Sequence, residues 1–159
     1  MRTVHLGDLL VKHKVLTAAQ RDQVLQAQRD RGGPFGALAE QMFGVSPAAV
    51  EKAWAEQYAG LAPHVDPRSH PVSLRALEVI SRRQAWQFRV LPLEMKGNEL
   101  TVCTTQDALV RALKFAGWRL GHAVQFVIAD SSALGEAMEK YYPMAGMSAK
   151  VFQEPVSLG

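Results

Sequence analysis

Apolar positions recur twice in the same order along the first 60 residues. The block opened by His5, Leu6 and Gly7 runs through Leu9, Leu10 and Val11, then Val15, Leu16 and Thr17, then Val24 and Leu25, and ends at Gln28. The block opened by Pro34, Phe35 and Gly36 runs through Leu38, Met42, Val45, Ser46, Val50 and Trp54 and ends at Gln57. Matched positions stand about 29 residues apart, the length of a small supersecondary unit used twice. Each block reads as a short helix, a turn and a longer helix.

Residues at the breaks agree with that division. Thr17 predicts an N-cap, and Gln20 stands where a capping box requires a side chain reaching back to the cap. In the second copy Ser46 takes the cap, followed by Pro47 at the first helical position, where a missing amide hydrogen costs nothing. The polar run Arg29 to Gly33 joins the copies, and Gly60 is expected to close the last helix. Residues 1–60 therefore predict a four-helix unit made of two repeated helical hairpins.

Pro63, Pro67 and Pro71 then interrupt any helix and mark 61–72 as a linker. Beyond it the pattern changes. Ser73 is expected to cap a helix carrying Leu74, Leu77 and Ile80; Arg89 to Leu93 and Glu99 to Thr105 read as strands joined through Lys96, Gly97 and Asn98. Asp107 is expected to cap a helix through Leu109, Val110, Leu113 and Phe115, ending at Gly117. Ala123 to Ile128 reads as a third strand, and a last helix starts at Asp130 or Ser131 and carries Leu134, Met138 and Tyr141. Residues 73–142 thus form a small three-stranded α/β subdomain, and the fold class is α+β. Residues 143–159 read as a tail ordered by a partner or by a neighbouring copy of the chain, so a homo-oligomer is kept as an expectation.

Composition narrows the chemistry. With 159 residues and 48% apolar content the chain can build a core without staples. The single Cys103 excludes an internal disulfide and a thiolate cluster, and its strand position predicts a small buried side chain. His5, His13, His64, His70 and His122 have no metal-ligand spacing, so no metal is expected. No apolar run approaches the roughly 20 residues of a membrane span, which predicts a cytoplasmic protein without direct membrane insertion. A net charge of +3 permits an anionic partner, yet the basic residues are scattered among Arg29, Arg31, Arg82, Arg83, Lys114 and Arg119. A nucleic-acid-binding reading of the paired helices therefore finds no basic recognition helix, and no nucleic acid is expected. There is no Gly-x-x-x-x-Gly-Lys-Ser/Thr loop to hold phosphates, and His64 and Asp66 share only a proline-rich stretch; no enzyme and no cofactor are expected.

The order of these segments resembles a known family. Arg89-Val90-Leu91-Pro92-Leu93, the strand after the turn, the helix near Asp107 and the closing Glu139-Lys140-Tyr141-Tyr142 are similar to the N-terminal domain of type II secretion and type IV pilus assembly ATPases, standing without its motor. The paired blocks in front resemble that domain's cyclic di-GMP-binding (MshEN-like) form, in which two motifs each open with Arg-Leu-Gly, end in Gln and are separated by five residues. The likeness runs over residues 5–142.

The resemblance implies a non-enzymatic regulatory module that docks onto protein components of a secretion or pilus machine. Trp86, Phe88, Trp118 and Tyr142 are the candidate aromatic anchors. The alternative it implies is a cyclic di-GMP receptor. Carried over by position, the ligand residues are His5, Gly7, Leu10, Val11, Leu25 and Gln28 in the first copy, and Gly36, Leu38, Trp54 and Gln57 in the second. A glycine admits a phosphate to backbone amides, an arginine donates to it, and apolar side chains face guanine. The chain departs from this pattern: His5 and Pro34 stand at the two Arg positions, Lys14 and Phe43 replace glycines, and Arg21 replaces an apolar residue. Each lost charge-assisted contact removes about 1.5–3 kcal/mol. The same residues have a plainer reading, in which the glycines allow close helix packing, the aliphatic residues form core and the glutamines are solvated.

Overall fold

The structure, a computed structural model, describes residues 5–120 and 122–153, excluding the side chains at 118, 119 and 153. The chain divides into two compact units, one reaching to Leu61 and the other starting at Ala62.

Among its described residues the first unit contains four helices: α1 (Leu6–Lys12), α2 (Ala18–Arg31), α3 (Phe35–Phe43) and α4 (Pro47–Leu61). Local chemistry starts the two long ones as expected. Thr17 Oγ1 accepts from the Gln20 amide at 3.1 Å while Gln20 Oε1 accepts from the Thr17 amide at 2.9 Å, a complete capping box. Ser46 Oγ accepts from the Ala49 amide at 3.1 Å at the head of α4. Gly60 does not close α4, which continues to Leu61. The turn inside each hairpin needs one left-handed residue, taken by Lys14 (φ 60°) in the first copy and by Gly44 (φ 65°) in the second. Phe43 itself stays helical at the end of α3, because the second copy makes its turn later.

Leu9, Leu10, Leu16, Val24, Leu38, Ala39, Val45 and Ala53 form the core of this unit. Both opening glycines lie against the other copy. A Cβ on Gly7 would stand 2.8 Å from Phe35 Cζ and 3.1 Å from Arg21 Cγ, and one on Gly36 would stand 2.6 Å from Val50 Cγ1 and 3.7 Å from Leu6 Cδ2. Phe35 and Leu6 are repeat-equivalent, as are Arg21 and Val50. The same exchange of partners at both glycines is the geometry of a pseudo-twofold pair.

The second unit holds α5 (Leu74–Leu77), α6 (Arg82–Phe88), β1 (Leu91–Lys96), β2 (Glu99–Thr104), α7 (Leu109–Arg119), β3 (Ala123–Ile128), α8 (Ser131–Tyr141) and a closing 3-10 turn (Ala149–Gln153). The sheet has the order β1-β2-β3, with β1 antiparallel and β3 parallel to β2. Leu91, Leu93, Leu100, Val102, Phe126 and Ile128 are buried with Leu109, Leu134 and Met138 from the helices. This is the α+β architecture expected.

Several local expectations are corrected. The helix capped by Ser73 stops at Leu77, and α6 follows with its own capping box between Ser81 and Gln84. Arg89 is not in a strand: it ends α6 in the left-handed conformation at φ 55°, and β1 begins at Leu91. Asp107 does not cap α7, because its Oδ1 accepts from Thr105 Oγ1 at 2.6 Å and Ala108 takes the cap position. Gly117 lies within α7. The proline-containing stretch also does more than connect. Ile128 N–H donates to Pro63 O and Val65 N–H to Ile128 O, both at 2.9 Å, which adds a strand-like bridge beside β3. At the other end the Ala149 amide donates to Glu139 Oε1 at 2.7 Å, and Phe152 is buried edge-on against Trp86.

Among the described residues no helix is long and apolar enough to cross a membrane, and no cluster of His, Cys, Asp or Glu has the makings of a metal site.

Candidate ligand-binding site

The first unit encloses a cavity of about 380 Å³ lined by His5, Leu6, Gly7, Asp8, Arg21, Leu25, Gln28, Phe35 and Gln57. Its walls come from equivalent parts of both copies. The opening of the first repeat (His5 to Asp8) faces the opening aromatic of the second (Phe35), and the glutamines that end the two repeats both reach it. Helical spacing explains the assembly: Arg21, Leu25 and Gln28 stand at i, i+4 and i+7 and so share one stripe of α2.

Five residues expected at a ligand site therefore meet: His5, Gly7, Leu25, Gln28 and Gln57. The other five do not line the cavity. Leu10 is fully buried and Leu38 nearly so, both in the helical core. Gly36 is buried beneath Val50. Val11 packs on the core from its edge, and the Trp54 ring lies 5.4 Å from that of Tyr58, centroid to centroid. Leu10, Leu38, Gly36 and Val11 are thus placed where they pack the helical unit.

Sequence reasoning missed Leu6, Asp8, Arg21 and Phe35 as wall residues. The signal for Arg21 was its place on the stripe of Leu25 and Gln28. Its guanidinium is the cationic group of the wall. Nη1 donates to Asp8 Oδ1 at 3.1 Å, and Nε and Nη2 approach Asp22 Oδ1 at 3.2 and 3.1 Å. Gln28 Nε2 donates to Gly33 O at 3.0 Å, which fixes its amide near the linker between the copies. Chemically the wall offers one guanidinium, two amides, an imidazole and one carboxylate around an apolar surface of Leu6, Leu25 and Phe35. These groups have the chemistry to face a flat polar ring and to donate to an anionic group.

The proposed aromatic anchors fare differently. Trp86 is buried, with Nε1 donating to Tyr142 O at 2.7 Å, and Tyr142 is buried with its hydroxyl donating to Leu77 O at 2.7 Å. Neither is an exposed anchor, because each polar tip is satisfied inside the second unit. Phe88 is half-buried and stacked on Phe115 at 4.4 Å, and the side chain of Trp118 lies outside the described residues. Cys103 is buried in β2, and burial pushes its thiol up to about 12, so it remains protonated and unreactive.

The model of the MshEN domain family matches residues 61–148. The chain belongs to the MshEN domain family. The match falls on the sheet-containing unit, so membership rests there and not on the cavity. A solved structure described as MshE with cdg is similar over 87% of this chain and 99% of that one, at 25% identity and a TM-score of 0.51. That coverage exceeds the second unit and extends the likeness into the repeats. The N-terminal domain of XpsE is similar over 86% of this chain and 93% of that one, at 19% identity and a TM-score of 0.46. Among curated proteins, the type IV pilus assembly ATPase PilB of Myxococcus xanthus (strain DK1622) is 21% identical over 143 residues, 90% of this chain and 25% of PilB. This MshEN chain thus spans about a quarter of the length of the curated relative it matches. It has the N-terminal-domain fold of secretion and pilus ATPases.

Proposed function

We propose that this MshEN chain is a non-enzymatic, cytoplasmic regulatory module that docks onto components of a pilus or type II secretion machine and responds to cyclic di-GMP bound in the cavity of its helical unit. The observation that carries the ligand half is convergence. Gly7 and Gln28 of one repeat and Gln57 of the other line one cavity with Leu25 and Phe35. Packing alone accounts for the glycines and gives no reason for two polar helix ends, one repeat apart, to reach the same cavity. The likeness to MshE solved with cdg supports the choice of nucleotide. In this reading the amides read a guanine edge and the apolar wall takes its face.

The test is calorimetric titration of the chain with cyclic di-GMP, with GMP as control. Micromolar binding is expected, and about a 5- to 150-fold loss in the Gln28→Ala, Gln57→Ala double variant, since two hydrogen bonds to the base are worth about 1–3 kcal/mol together. No heat at high ligand concentration ends the nucleotide reading. For the docking half, pull-down of pilus or secretion components from a lysate is expected to change when cyclic di-GMP is added; recovery of none of them, with or without it, counts against docking.

A further inference from the structure

The two repeats differ most sharply beside their opening glycines. In the second copy Val50 lies over Gly36, and Ala37 follows that glycine. In the first copy the equivalent residues are Arg21 and Asp8. The Arg21 stem does the packing of Val50, its Cγ standing 3.1 Å from where a Gly7 Cβ would be, while its head runs on along the cavity to the Asp8 carboxylate at 3.1 Å. About 29% of the Arg21 side chain and 52% of the Asp8 side chain remain accessible, so the pair can open without unpacking the core.

We propose that Arg21 is the phosphate-binding residue of this cavity and that the Asp8 carboxylate holds its place until a phosphodiester displaces it. The proposal rests on the cyclic di-GMP reading above. A guanidinium that pairs with a carboxylate presents the same planar set of N–H donors to a phosphate oxygen. The charge that the motif lacks at His5 and Pro34 is thereby supplied from α2, at a position where the family pattern is apolar. Because Val50 and Ala37 offer neither charge in the second copy, the cavity grips one phosphodiester of the two in cyclic di-GMP, and the dinucleotide sits asymmetrically.

The experiment is titration of cyclic di-GMP into the full chain and into Arg21→Met, Asp8→Asn and His5→Arg variants, with thermal melts of each. Arg21→Met retains the stem over Gly7 and removes only the charge. It is expected to bind about 10- to 100-fold more weakly and to lose most of the salt dependence of binding, at an unchanged melting temperature. Asp8→Asn is expected to bind about two- to fivefold more tightly, because the phosphate no longer competes with the Asp8 carboxylate for Nη1, while Asp22 keeps its contacts with Nε and Nη2. If the parent chain binds and Arg21→Met binds equally well with the same salt response, the Arg21 assignment is overturned while the nucleotide reading stands. An unchanged affinity in Asp8→Asn overturns the displaced carboxylate. If neither the parent nor any variant binds, including His5→Arg, which restores a motif arginine, both readings fall.

Discussion

The two helical repeats share a backbone plan but distribute polar chemistry unequally. Both start with a glycine pressed against a residue of the following long helix, and both end with a glutamine at the cavity. Yet the first copy places Arg21 and Asp8 where the second has Val50 and Ala37. The first also ties α1 to α4 through Lys12, His13 and Glu56, whereas the equivalents of these three, Gln41, Met42 and Ala27, carry no charge. Packing requirements have kept the repeat recognisable, and apart from the two glutamines the polar positions facing solvent or the cavity have diverged. The glycines and core positions that the copies share are thus evidence about folding, whereas the cavity residues, the shared Gln28 and Gln57 and the unshared Arg21 and Asp8, bear on function.

The strongest way to break this comparison is at the glycines. Gly36→Ala would drive a methyl to 2.6 Å from Val50 Cγ1, a β-branched side chain stiff at χ1, and is expected to destabilise by about 1–3 kcal/mol. Gly7→Ala meets instead the far end of the Phe35 ring and the flexible Arg21 stem, and is expected to cost less. Denaturant melts of both, with the Gly36→Ala, Val50→Ala double variant, check the contact: coupling between the last two substitutions should recover part of the loss. Equal costs at the two glycines would mean that the surrounding helices shift together and the side-chain difference is immaterial.

The turns within the hairpins give a smaller contrast. Lys14 occupies a left-handed conformation that its Cβ disfavours, and Gly44 occupies the corresponding conformation without that cost. Lys14→Gly is expected to stabilise by up to about 1 kcal/mol and Gly44→Ala to destabilise by about 1 kcal/mol, read as opposite shifts of the denaturation midpoint. The same sign in both would show that the turns are not equivalent.

How much of this was legible depended on the range of the interaction. The caps at Thr17 and Ser46, the 29-residue repeat and all three strands were readable because they are local or periodic. Helix α6 was not, since seven residues with Ala85, Trp86 and Phe88 as their apolar content carry too little periodicity; only the pair Ser81 and Gln84 signalled it. Asp107 looked like a cap, but the hydroxyl of Thr105 claimed its carboxylate. Trp86 and Tyr142 looked like anchors because their hydrogen bonds close over 56 and 65 residues of chain, a range that pattern reading does not reach. At the cavity the glutamines and Gly7 were visible through the repeat. Arg21 was noticed only as a departure from an apolar pattern, although its spacing from Leu25 and Gln28 already placed it on their face.

The smallest predicted effect concerns the tie between α1 and α4. Glu56 Oε2 lies 2.6 Å from His13 Nε2, and Glu56 Oε1 lies 3.3 Å from Lys12 Nζ. The hydrogen bond with His13 holds the Glu56 carboxyl below its ordinary value of 4.5 against the opposing effect of burial, and Lys12 adds to the lowering. A carboxyl depressed in the folded state adds stability that is present above the ordinary value and is lost as pH falls through the lower folded one. The chain should therefore lose stability on acidification from about pH 4.5 downward, and Glu56→Gln should flatten that part of the curve. Because the pair is partly exposed and screened by salt, its worth is expected to stay below about 1 kcal/mol. Chemical denaturation of both forms across that range, at low and high salt, measures it. A difference that persists undiminished in high salt would contradict an ion pair and assign the tie to the packing of α1 on α4, which the second repeat could then share despite its uncharged Gln41, Met42 and Ala27.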